Sequence, residues 1–134
     1  MNTASNLLSL QHHIALVTGG GRGIGAATAE ALARKGAHVV VASRSEAELT
    51  ATVARLHAAG LDASSQVLDV ADDAAVNAAF DRIAAEFGRL DILVNNAAII
   101  ASGPFAEMAM EDWDRLMAVN LRGAVLCARR AFRL

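Results

Sequence analysis

The chain of 134 residues contains no tyrosine, and it has one cysteine, one proline, one tryptophan and, in Lys35, one lysine. Each scarcity excludes something. A lone cysteine, Cys127, cannot close an internal disulfide, so a disulfide-framed secreted fold is excluded and a reducing cytoplasm is expected. Without tyrosine, no residue within these positions can serve as a phenolic proton donor. Charge of one sign is also lacking: 12 Lys and Arg against 14 Asp and Glu leave a net charge of -2. That balance gives no electrostatic reason to expect nucleic acid or an anionic membrane as partner. Apolar segments are short or broken by Asn, Gly and Pro, so no membrane span is expected. No charged residue precedes Arg22, so the basic start of a secretory signal is missing. His12, His13, His38 and His57 lack convergent ligand spacing, and no metal site is expected.

What remains is a composition of 54% hydrophobic and 19% charged residues, which suits one folded α/β domain over residues 1–134. Its organising stretch is Val17-Thr18-Gly19-Gly20-Gly21-Arg22-Gly23-Ile24-Gly25, which holds five of the ten glycines. An apolar run, residues 14–17, precedes it, and an alanine-rich helical run, residues 26–35, follows. A glycine turn from strand to helix leaves bare N–H groups at the positive end of the helix dipole, a cradle for phosphate. Alone, such a turn is a weak signal, because glycines also serve plain tight turns.

The surrounding order strengthens it. Residues 39–42 read as a second buried strand, and Ser45 with Glu48 forms a capping box for a helix ending at Gly60. Leu49, Val53 and Leu56 mark that helix's buried stripe. Residues 66–68 read as a third strand ending at Asp69. Asp72 caps the next helix, whose Val76, Phe80, Ile83 and Phe87 share one face before Gly88 stops it. Residues 91–94 form a fourth strand, and a last helix begins near Glu111 and runs to the end of the sequence. Strand and helix alternate four times, which predicts a parallel Rossmann-type sheet of order 3-2-1-4 with helices on both faces.

In open parallel sheets, ligands bind beyond the carboxyl ends of the strands. Four polar or small clusters converge there: the glycine turn, Ser43-Arg44, Asp69-Val70 and Asn95-Asn96-Ala97. A dinucleotide fold that grips NAD(H) usually carries an acidic residue at the end of its second strand. Ser43 stands there instead, followed by Arg44, with Arg22 in the turn. Two guanidiniums suit a 2′-phosphate, so NADP(H) is expected over NAD(H). Arg44 also fits a plain solvated arginine, Asp69 a strand terminator, Val70 a core residue and Asn120 a satisfied amide.

These residues resemble the short-chain dehydrogenase/reductase family. Thr18-Gly19 through Gly23-Ile24-Gly25 is similar to the family's TGxxxGIG turn, and Asn95-Asn96-Ala97-Ala98 to its NNAG motif. The texture is similar to that of carbonyl reductases and 3-oxoacyl-carrier-protein reductases. The resemblance implies a cofactor site of Thr18, Gly19, Gly21, Arg22, Gly23, Ile24, Gly25, Ser43, Arg44, Asp69, Val70, Asn96 and Ala97. Asp69 matches the residue that meets the adenine amino group, and Asn120 the asparagine of the catalytic tetrad. Ala98 departs from the usual glycine, and Ala109 from a usual Ser or Thr helix cap, a loss of about 1 kcal/mol.

The family's serine and its Tyr-x-x-x-Lys pair have no counterpart in these residues. The expectation is therefore the cofactor-binding half of an NADP(H)-dependent oxidoreductase acting on carbonyl or alcohol carbons, inactive alone. A non-enzymatic nucleotide-binding or interaction module, or a truncated product without independent function, are the alternatives. An open edge at the fourth strand and the apolar last helix further predict self-association.

Overall fold

The structure, a computed structural model, describes residues 8–134. Four strands form one parallel sheet: β1 (Ile14–Thr18), β2 (His38–Ser43), β3 (Ala63–Val67) and β4 (Ile92–Val94), in the order β3-β2-β1-β4. Three helices connect them: α1 (Gly23–Arg34), α2 (Glu46–Ala58) and α3 (Asp73–Phe87). After β4 come a 3₁₀ turn (Phe105–Glu107), α4 (Met110–Met117), a π-helical turn (Ala118–Arg122) and α5 (Gly123–Ala131). The sheet is the Rossmann-like arrangement that the strand–helix alternation predicts.

Its two central strands are apolar over residues 14–17 and 39–42 because both faces are covered. Successive side chains of a strand point to opposite faces. Thus Ala15, Val17, Val39 and Val41 pack with Ala29, Ala33, Leu49 and Leu56 of α1 and α2. Leu16, Val40 and Ala42 pack instead with Val76, Phe80 and Ile83 of α3 and with Cys127 of α5. The expected stripes hold: Leu49, Leu56, Val76, Phe80 and Ile83 are buried, while Val53 and Phe87 are half-buried.

Helix ends follow local chemistry. Asp72 accepts from Ala75 N at 3.1 Å, and Gly88 closes α3 with a left-handed φ of 69°. Ala109 precedes α4 with no side-chain cap.

Three details differ from the sequence expectation. The third strand runs over Ala63–Val67 rather than 66–68, because backbone pairing with β2, from Val39↔Ala63 to Ser43↔Val67, defines it. As an edge strand it tolerates the polar Ser64, Ser65 and Gln66, and Ser64 Oγ hydrogen-bonds His38 Nε2 at 2.9 Å. The capping box of α2 closes on one side only, Ser45 Oγ accepting from Glu48 N at 3.3 Å. The final helix is not continuous, since the π turn over Ala118–Arg122 interrupts it around Asn120.

Among the described residues, no helix is long and apolar enough to cross a membrane. Among these residues, too, β4 has no strand neighbour on its outer side. Trp113, Met117, Leu121 and Val125 of the last helical stretch are exposed.

Candidate functional site

The parallel topology delivers every strand end to one edge, and a cleft of about 460 Å³ opens there. It is lined by the glycine turn after β1, by Ser43 to Ser45 after β2, by Leu68 to Val70 after β3, and by Asn96 to Ile99 after β4.

The turn is held by two side chains, Thr18 at the end of β1 and Asn96 just past β4. Thr18 is 1% exposed, and its hydroxyl donates to Val94 O at 3.3 Å. The same oxygen accepts from Asn96 N and from Ala97 N, each at 3.1 Å. In return the Asn96 side-chain amide donates to Thr18 O at 3.1 Å and to Gly19 O at 3.2 Å. This closeness demands glycine at two positions. Gly19 has a φ of +63°, and a Cβ there would stand 2.8 Å from Asn96 Nδ2. A Cβ on Gly25 would lie 2.1 Å from Gly19 O, so only a bare backbone lets α1 start so near the turn.

The amino end of α1 is open. Its N-cap residue, Arg22, contributes no side-chain cap, and the first turn carries no acidic residue. The first N–H groups of a helix have no intrahelical partner, and here no side chain caps them, which is the setting for an anion. Arg22 and Arg44 border the cleft, are exposed, and make no ion pair or side-chain hydrogen bond among the described residues. Among the described residues, Ser43 Oγ is buried with no partner. A tight glycine cradle, free helix donors and two uncommitted guanidiniums fit the phosphates of a dinucleotide.

Other expected residues occupy distinct places. Asp69 lines the cleft, its Oδ1 accepting from Ala71 N at 3.0 Å and its Oδ2 standing 3.4 Å from an Arg115 guanidinium nitrogen. Val70 also lines it, but is only 5% exposed and packs on Gly123 of α5. Gly19, Gly21, Gly23, Ile24, Asn96 and Ala97 are brought together in the wall, whereas Thr18 and Gly25 lie behind it. Asn120 is not in the wall; its amide clamps the loop after β4, accepting from Ile99 N and donating to Ile99 O at 2.8 Å each. The π turn that carries Asn120 is a helical irregularity frequent at functional sites.

Sequence reasoning missed Arg115, whose helical position offered no signal, and read Glu48 only as a cap. It also passed over Ile99 and Val119, which help line the cleft. Cys127 stays outside: burial pushes its thiol up to about 11, so it is inert packing. No group of three His, Cys, Asp or Glu residues able to hold a metal stands together among the described residues.

The family model for short chain dehydrogenases matches residues 13–134, and the chain belongs to that family. It is 46% identical over 118 residues to the short-chain reductase protein NovJ of Streptomyces niveus, covering 88% of this chain and 45% of that protein. It is 44% identical over 120 residues to D-threitol dehydrogenase of Mycolicibacterium smegmatis, covering 87% of this chain and 45% of that one. A solved gluconate 5-dehydrogenase from Burkholderia cenocepacia, in complex with NADP and tartrate, superposes with a TM-score of 0.89 at 40% identity. That match covers 97% of this chain and 51% of the other. The chain thus spans about half the length of the relatives it matches.

Thr18→Val removes one donor and two acceptances while keeping the side chain's shape. Unfolding free energy should fall by about 2–3 kcal/mol in urea titrations, with Asn96 and Ala97 amides exchanging faster. Thr18→Ser should retain most of it, and a loss in Thr18→Val below about 0.5 kcal/mol would contradict the role given to the hydroxyl.

Proposed function

We propose that the chain is the NADP(H)-binding part of an oxidoreductase that exchanges hydride with a carbonyl or alcohol carbon. The observation that carries this reading is the uncommitted Arg22 and Arg44 beside a cleft whose second-strand end offers Ser43 instead of a carboxylate. A carboxylate there would repel a 2′-phosphate, and paired guanidiniums attract one. The NADP carried by the Burkholderia cenocepacia relative supports the same choice.

In this reading the α1 amino end and the glycine turn take the pyrophosphate, and Arg22 and Arg44 take the 2′-phosphate. Asp69 receives the adenine amino group and Val70 walls the ring. Asn96 and Ala97 form the floor, with Thr18 holding them in place. Asn120 fixes the loop at Ile99 and holds the relay position its family match implies. When bound, the nicotinamide supplies or accepts the hydride. The proton that must accompany it has no phenolic carrier here: the chain has no tyrosine, and Lys35, its only lysine, closes the far end of α1. We therefore read these residues as binding cofactor without turning it over, in a cytoplasmic setting.

Fluorescence titration should give saturable NADPH binding, about tenfold or more tighter than NADH, and Arg44→Asp should reverse that order. No NADPH oxidation is expected with a panel of ketones. Absence of saturable binding, or an unchanged preference in Arg44→Asp, would contradict the cofactor reading. Measurable oxidation would contradict the inactive state.

The open side of β4 and the exposed Trp113, Met117, Leu121 and Val125 support a second reading, a module that associates with another copy of itself. Light scattering should then report dimers or larger species at micromolar concentration. A stable monomer would count against it.

A further inference from the structure

Glu48 carries a carboxylate that the capping box leaves unused. Ser45 Oγ accepts from Glu48 N at 3.3 Å, but the Glu48 side chain does not return to the Ser45 backbone. Among the described residues its carboxylate accepts no hydrogen bond and joins no ion pair, although the residue is half-buried. It lines the cleft beside Ser43, Arg44 and the glycine turn. A methyl placed on Gly21 would stand 2.9 Å from Ser43 Oγ, 3.1 Å from Glu48 Cβ and 3.4 Å from Glu48 Oε2. The carboxylate therefore stands over Gly21 of the turn, which Ser43 Oγ also borders; among the described residues that hydroxyl is buried without a partner.

We propose that Glu48 is a specificity-determining residue of this cleft, narrowing the preference for NADP(H) that Arg22 and Arg44 create. An ionised carboxylate only accepts hydrogen bonds. The ribose 2′-hydroxyl of NAD(H) has a proton to give it, whereas the 2′-phosphate of NADP(H) brings like charge. One wall of the subsite thus holds cations for the phosphate and an acceptor for the hydroxyl. Both dinucleotides bind, and the ratio is set by the balance between them. This rests on the reading of the cleft as a nicotinamide dinucleotide site.

The test measures dissociation constants of NADPH and NADH by fluorescence at about pH 8, where a phosphate monoester is a dianion. Glu48→Gln should tighten NADPH and weaken NADH, widening their ratio about tenfold, and Glu48→Lys should widen it further. Glu46→Gln removes the same charge from the first turn of α2, outside the cleft, and should leave the ratio unchanged. Wild-type binding with an unchanged ratio in both Glu48 variants overturns this inference alone. Equal widening in Glu46→Gln also overturns it, because the helix-end charge then accounts for the effect. Failure of the wild type to bind either dinucleotide overturns it together with the function proposed above.

Discussion

The Thr18 hydroxyl joins the end of β1 to the residues that follow β4, and the rest of the site depends on that junction. One oxygen gives a hydrogen bond to Val94 O and receives two, from Asn96 N and Ala97 N. The Asn96 amide answers across the same gap, on Thr18 O and Gly19 O. β4 is only three residues long and pairs on one side. Such a strand has few backbone bonds of its own, so these side-chain bonds fix where its last residues lie. They also fix the first turn of the glycine loop, because Gly19 is pinned from the β4 side. The Thr18 hydroxyl is buried, and both its donor and its acceptor capacity are used, so its burial leaves no unpaired polar atom.

From that fixed point the cleft follows. Gly19 turns the chain, Gly25 lets α1 begin against it, and the helix presents donors that no side chain among the described residues caps. The parallel sheet then sets Ser43, Asp69 and Asn96 along one edge. Charge is added from outside the stitched core: Arg22 and Arg44 are exposed and free to meet an anion, while Arg34, Arg55, Arg89, Arg122 and Arg130 are paired with carboxylates. Asn120 performs a comparable task one step further on, holding Ile99 from a π turn. The charged groups of the site, Arg22 and Arg44, are therefore not the residues that stitch it together.

Much of this was legible in the sequence, for identifiable reasons. β1 and β2 announce themselves as unbroken apolar runs because both faces are buried. α3 does so through the Val76, Phe80 and Ile83 stripe. The glycine turn, Ser43-Arg44, Asp69 and the Asn95-Asn96 pair fall after strands, so the topology alone gathers them. β3 was displaced because an edge strand carrying Ser64, Ser65 and Gln66 has no apolar run to read. The π turn escaped because Ala118 to Arg122 continue an ordinary helical pattern. Glu48 and Arg115 escaped because helical periodicity does not say which exposed charges a neighbouring strand end will meet. The sense of Thr18 was also hidden: its position pointed to the cofactor, and its hydroxyl faces the protein.

The most direct test of the account is a backbone amide NMR titration of the isotopically labelled chain with NADPH. The account predicts saturable shifts at residues 19–25, at Ser43 and Arg44, at Asp69 and at Asn96 and Ala97, with α3 unaffected. Shifts confined to other surfaces, or none at saturating NADPH, would contradict it.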